Sequence, residues 1–128
     1  MTKPRLIDIP KIGSDDTGFI SVAQIGEQVP FEIQRVFWIY DATGQRGNHA
    51  HRRGEQVIVA LKGEVRIALS TPDRNTSHFV LANADQGLLL PEMHWIEFHM
   101  AKDAILLCIS SVLYAEDNYI RTPEHFFL

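Results

Sequence analysis

The sequence is short of cysteine, of long apolar runs and of positive charge, and each shortage excludes a class of protein. Cys108 is the single cysteine among 128 residues. A lone thiol forms no internal disulfide, so the reducing cytoplasm is the expected compartment. Cys108 lies within an apolar run and reads as a core thiol, not a nucleophile. The longest apolar stretch, Ala104 to Ile109, suits a buried strand and falls far short of a membrane span. The opening Met1-Thr2-Lys3-Pro4-Arg5 is basic but lacks the apolar segment of a signal peptide, so a soluble, unexported chain is expected. Acidic residues outnumber Lys and Arg by 16 to 12, giving a formal charge of −4. That balance argues against non-specific binding to nucleic acid or anionic membrane. It still permits a local basic pocket, because Arg46, Arg52 and Arg53 lie close together. No linker or low-complexity segment interrupts the chain, and one domain over residues 1–128 is expected.

Long helical periodicity is also missing, and short strands take its place. Ile33 to Tyr40 is rich in β-branched and aromatic residues. Gln56 to Leu61 and Glu64 to Ser70 flank Lys62-Gly63, which reads as a two-residue hairpin turn. Within the second arm Val65, Ile67 and Leu69 alternate with polar residues, giving one dry and one wet face. Thr71 to Thr76 is a turn cluster, and His78 to Ala82, Leu88 to Leu90, Trp95 to Met100 and Ala104 to Ser110 are further strands. Asp15, Asp16 and Gly18 read as a turn. Such spacing predicts an all-β sandwich or barrel, and a jelly roll in particular, with a pocket between its walls. Trp38, Tyr40, Trp95 and Tyr119 are expected in the core, with one of them free to stack on a ligand base. His78 and His125 are expected at the surface, and His99 on either face. The apolar tail ending Phe126-Phe127-Leu128 is expected to pack on its own domain or on a partner subunit.

The densest chemistry is Arg46-Gly47-Asn48-His49-Ala50-His51, followed by Glu55 and Gln56. Residues two apart on a strand share a face, so His49 and His51 project together. Three readings compete. Imidazoles ligate metals, and His-x-His followed by a glutamate, here Glu55, is a ligand spacing familiar from cupin barrels. The pair can instead exchange protons near neutral pH. The bland alternative is two rim histidines without a task. The metal reading needs a further ligand beyond a Pro-x-Gly turn. The chain has Pro91-Glu92-Met93 there, with His94 and His99 out of place.

Arg35-Val36-Phe37-Trp38-Ile39-Tyr40-Asp41, the Arg46 to His51 string and Glu55-Gln56-Val57 together resemble the nucleotide-sugar 3,4-ketoisomerases of the cupin superfamily, which act on dTDP-4-keto-6-deoxyglucose. Asp117-Asn118-Tyr119-Ile120-Arg121 and Phe126 match a recurrent ending of that family, so the resemblance runs from about Pro30 to Phe126. It implies a cupin-type double-stranded β-helix (jelly roll), an isomerase without metal or other cofactor, and a homodimer. It also implies a place in deoxysugar biosynthesis for surface glycans such as lipopolysaccharide O-antigen. The family's paired catalytic histidines fall on His49 and His51. Arg46 becomes the candidate for the diphosphate or the enolate, with a surface ion pair as its alternative. Arg35, on an apolar strand, needs an anion if it points inward, from a ligand or a salt bridge. Glu55 is expected either in the pocket, orienting His51, or paired with Arg52 or Arg53. Two departures stand out. Phe37 and Trp38 occupy positions where the family often carries tyrosines. His94-Trp95 reverses the family's Trp-His order, so that either Trp95 replaces a pocket histidine or a bulge restores the order.

Overall fold

The computed structural model describes residues 2–42 and 44–128. Met1, the first residue of the basic opening segment, lies outside them. The strands are β1 (Arg5–Asp8), β2 (Lys11–Ser14), β3 (Gly18–Ser21), β4 (Arg35–Ile39), β5 (Gly44–His51) and β6 (Gln56–Lys62). They continue with β7 (Val65–Ser70), β8 (Thr76–Leu81), β9 (Gln86–Leu90), β10 (Trp95–Met100), β11 (Ile105–Ser110) and β12 (Tyr119–Ile120). Strand β4 pairs with β11, β5 with β10, β6 with β9 and β7 with β8, all antiparallel. Residues 35–110 therefore form one long antiparallel ribbon whose tip is the polar turn at 71–75. The ribbon is rolled so that successive strands pass between two five-stranded sheets, ordered β1-β9-β6-β11-β4 and β12-β5-β10-β7-β8. This is the jelly roll expected from the sequence. No helix among the described residues is long and apolar enough to cross a membrane.

The side-chain pattern explains the roll. Val65, Ile67 and Leu69 of β7 are buried between the sheets while Arg66 is exposed. Strand β6 is apolar on both sides. Ile58 and Ala60 join the inter-sheet core with Leu88, Leu106 and Cys108, and Val57 and Val59 pack outward against Ile7, Ile9, Val29 and Phe31. Burying each such side chain contributes roughly 1.5–3 kcal/mol. Part of the tail packs on its own domain: Phe126, 4% exposed, packs with Trp95, Ala50 and Ile120 on the outside of the second sheet, while Leu128 is exposed.

One expected local structure is corrected. Lys62-Gly63 does not close a hairpin, because β6 and β7 belong to different sheets and do not pair. It is a corner from one sheet to the other. Gly63 has φ +73°, and a Cβ there would lie 2.8 Å from the Cα of Ala104. Glycine is required by the left-handed backbone and by the close approach of the neighbouring corner. Trp38 and Tyr40 are corrected as well. Each is 59% exposed, Trp38 on edge strand β4 and Tyr40 just past its end. Trp95 is in the core as expected, and His78, His99 and His125 are exposed.

Candidate active site

The open end of the jelly roll is polar where the rest of the interior is apolar. On the inner face of the first sheet, register sets Gln56 opposite Ser110 and Ser110 opposite Arg35. The next row inward is Ile58, Cys108 and Phe37. From the second sheet, His49, His51 and Tyr119 face this end, and a pocket of about 480 Å³ lies between. Its lining includes Arg46, His49, His51, Gln56, Tyr119 and Arg121.

A β-bulge arranges β5. Ile96 pairs with His49 but Glu97 pairs with Gly47, so Asn48 is the extra residue. Gly47 and Asn48 both have positive φ, 94° and 58°. A Cβ on Gly47 would come 2.9 Å from the Ile96 carbonyl oxygen. In an unbroken strand, residues three apart face opposite sides. The bulge instead sets Arg46 opposite Phe98 and His49 opposite Ile96, and both of those partners face the core. Arg46 and the histidines thus share one pocket, and Arg-Gly-Asn-His is the local sequence that brings them there.

The histidines meet edge to face, with ring centroids 4.9 Å apart. Tyr119 touches both, at 5.0 Å from His49 and 4.7 Å from His51. Asn118 fixes that placement. Its Oδ1 accepts from the Arg53 amide at 2.9 Å and its Nδ2 donates to the Arg53 carbonyl at 3.0 Å, clipping β12 to the end of β5. Burial holds His51 at a pKa of about 3, with His49, Arg35 and Arg121 adding repulsion of its charged form. His49 is also lowered, chiefly by burial. Both imidazoles are therefore neutral at pH 7, each with one N–H and one lone pair. Nε2 of His51 is buried with no hydrogen-bond partner.

Cations surround the pair. The Arg121 guanidinium stacks 4.4 Å over the Tyr119 ring. Its Nε and Nη2 donate to Glu116 at 2.6 and 3.0 Å, while Tyr114 donates to the same carboxylate. Those bonds, Arg121's first, pull the Glu116 carboxyl down to about 2. Arg35 points inward along β4 with Phe37 and forms no ion pair among the described residues. Its guanidinium lies 4.8 Å from the Phe37 ring centroid, and its buried Nε has no partner. The phenyl ring of Phe37 forms part of the pocket wall, so a hydroxyl missing at this position is missing from the pocket. The Cys108 thiol, in the same wall, is pushed up to about 12 by burial and stays protonated.

Glu55 is placed differently from the expectation. It lines a separate groove with Phe31, Glu92 and Ser111, and its amide donates to Ser111 Oγ at 2.8 Å. Gly54, with φ +95°, turns the chain so that Gln56, not Glu55, faces the histidines. The set His49, His51 and Glu55 is not assembled, and no group of three or more His, Cys, Asp or Glu among the described residues is arranged to hold a metal. Glu55 also pairs with neither neighbouring arginine; Arg53 instead lies 3.8 Å from Asp117 in an exposed contact. Nor does Trp95 replace a pocket histidine. It turns outward beneath Phe126 and Phe127, and His94 is buried outside the pocket with Nδ1 2.9 Å from the Glu92 carbonyl. Residue types alone did not single out Tyr119, Arg121 or Gln56. The matching C-terminal string was the available signal for the first two, and the Glu55-Gln56-Val57 string for the third.

A family model described as "FdtA: WxcM-like, C-terminal" matches residues 2–128. The chain is 33% identical over 126 residues to the TDP-4-oxo-6-deoxy-alpha-D-glucose-3,4-oxoisomerase of Aneurinibacillus thermoaerophilus, covering 95% of this chain and 88% of that one. The sugar 3,4-ketoisomerase QdtA of Thermoanaerobacterium thermosaccharolyticum, solved with TDP, superposes with a TM-score of 0.89 at 29% identity, covering 96% and 90% of the two chains. A histidine-to-asparagine mutant of QdtA has been solved with TDP-4-keto-6-deoxyglucose, with a TM-score of 0.90, 27% identity and coverage of 98% and 92%. A 3,4-ketoisomerase of Helicobacter canadensis gives a TM-score of 0.91 at 29% identity, covering 98% and 96%. Sequence and fold agree over nearly the full length, and the chain belongs to the FdtA family of sugar 3,4-ketoisomerases.

Proposed function

We propose that the chain is an isomerase that moves the ketone of a dTDP-4-keto-6-deoxy sugar from C4 to C3 through an enediol, with His49 and His51 as its proton-transfer groups. The supporting observation is the pair itself, two neutral imidazoles 4.9 Å apart in a pocket ringed by cations. One lone pair removes the proton from C3. The C–H electrons form the C3=C4 double bond, and the carbonyl electrons move to O4, which takes a proton. Loss of the O3 proton then restores a ketone at C3, and the double-bond electrons take a proton at C4. A neutral imidazole suits both tasks, because its lone pair accepts and its N–H polarises the ketone.

Arg46 is at the pocket wall with its charge available to a diphosphate, and the guanidinium fork fits phosphate oxygens, while Arg121 beside it is held by Glu116. Arg35, in the same row as Gln56 and without an anion, supports the charge that builds on O4. Glu55, in its separate groove, has no part in this scheme. The reaction serves deoxysugar biosynthesis for surface glycans such as lipopolysaccharide O-antigen, in the cytoplasm. Incubating the purified chain with TDP-4-keto-6-deoxyglucose in deuterated water tests the assignment. Deuterium should enter the sugar as 3-keto product accumulates. TDP binding with no exchange would make the chain a non-catalytic nucleotide-sugar-binding protein.

The chain is also expected to form a homodimer. Val36 and Trp38 on edge strand β4 and Tyr40 just past its end, with Leu61 beside Trp38 and Tyr40, leave apolar surface exposed. Surfaces of this kind and open sheet edges are normally covered by a partner, most simply through a twofold axis. Sedimentation at micromolar concentration should give a dimer, and Trp38→Glu with Tyr40→Glu should shift it to monomer. A stable wild-type monomer refutes the assembly.

A further inference from the structure

Gln56 is a polar side chain without a partner at the centre of the site. It opens β6, is 6% exposed and lines the histidine pocket. Its carboxamide makes no hydrogen bond with any described residue. The cross-strand neighbours explain why. Leu90 is apolar, and Ser110 Oγ is committed to Val112, donating to its carbonyl at 3.1 Å and accepting from its amide at 3.2 Å. The amide instead opens to the pocket, where a ligand or water can match it. Nε2 of His51, which lines the same pocket, is buried without a partner, and so is Nε of Arg35, across Ser110 from Gln56 in the same row. Gln56 and His51 therefore both present polar atoms without protein partners to the pocket where a sugar would react.

We infer that Gln56 contacts the reacting sugar and donates a hydrogen bond from Nε2 to the oxygen that becomes negative as the enediolate forms, a role that rests on the isomerase reading above. The choice of amide over acid follows from charge. An amide strengthens its bond as negative charge builds on the oxygen, whereas a carboxylate at the same place repels it. A carboxylate here would also join His49 and His51 in a set of two imidazoles and one carboxylate, the donor types that bind zinc. Glutamine keeps the donor and leaves that set incomplete.

The experiment compares wild type, Gln56→Met and Gln56→Glu in three measurements: isomerisation of TDP-4-keto-6-deoxyglucose, TDP affinity, and zinc binding by titration. Circular dichroism and TDP affinity confirm that each variant folds. Gln56→Met has similar bulk and no donor, and its kcat should fall about 10²-fold with TDP affinity unchanged. Gln56→Glu should lose a similar factor and gain one equivalent of zinc that wild type does not bind, with the gain abolished by adding His51→Asn. Wild-type turnover is the reference for the variants. If wild type turns over nothing, the isomerase reading fails and the enediolate contact fails with it, while the zinc titration still reports whether position 56 meets the histidines. If wild type turns over, a Gln56→Met variant that keeps most of its kcat, or a Gln56→Glu variant that gains no zinc, overturns the role of Gln56 alone.

Discussion

Replacing either His49 or His51 with asparagine should lower kcat by about 10²–10⁴-fold while TDP still binds. Asparagine keeps part of the volume and hydrogen bonding but has no titrating ring. The pocket should survive, because its frame is the ladder of β5 with β10 and the clip of Asn118 on Arg53, neither of which uses an imidazole. The two variants should fail differently. Without the group that takes the C3 proton, the substrate exchanges no deuterium at C3. Without only the group that serves the oxygens and C4, some exchange at C3 persists while product is blocked. The position of label in recovered sugar therefore assigns the roles, which the near-symmetric contact of the two rings with each other and with Tyr119 leaves open. If both variants keep near-normal turnover on a substrate that wild type isomerises, the pair is not the proton-transfer machinery.

Strand β4 and strands β6 to β11 were legible from the sequence because their signal is local, whereas the short β1, β2, β3 and β12 were not read. Trp95 to Met100 was read with the bounds observed, and the alternation of Val65, Ile67 and Leu69 identified the dry face of β7. What failed was pairing. Lys62-Gly63 has the chemistry of a hairpin turn, yet a jelly roll also needs glycine where the chain crosses between sheets, and the dihedral demand is the same in both cases. Exposure failed for a related reason. Trp38 and Tyr40 look like core residues by type, but they lie exposed on an edge strand and just past its end. The site divided along the same line. His49 and His51 share a face by simple alternation. The bulge at Asn48 that brings Arg46 to them, and the turn at Gly54 that substitutes Gln56 for Glu55, are breaks in alternation that periodicity does not anticipate. Tyr119 and Arg121 arrive from the far end of the chain, through a pairing of β12 with β5 that no local pattern announces.

Burial of His51 should make the folded state lose stability as pH falls, and the loss should disappear in His51→Asn. The folded imidazole has its pKa lowered from 6.5 to about 3, so between those values the unfolded chain binds a proton that the folded chain refuses. Unfolding is thus favoured on acidification. The stability is fully present above pH 6.5 and is lost progressively from there towards pH 3. For one group with that shift, the loss between pH 7 and pH 4 is about 3 kcal/mol. Other groups also titrate in this range, and the comparison removes most of them, because Glu116 and the remaining carboxylates are present in both proteins. Urea unfolding of wild type and His51→Asn at half-unit steps from pH 7 to pH 4 should give curves that converge or cross, with wild type losing the greater stability. A nucleotide-sugar ligand brings negative charge to the pocket, raises the folded-state pKa and should flatten the wild-type dependence. Parallel curves for the two proteins would show that His51 carries its proton equally well folded and unfolded. Burial would then not be what keeps this imidazole neutral in the resting pocket.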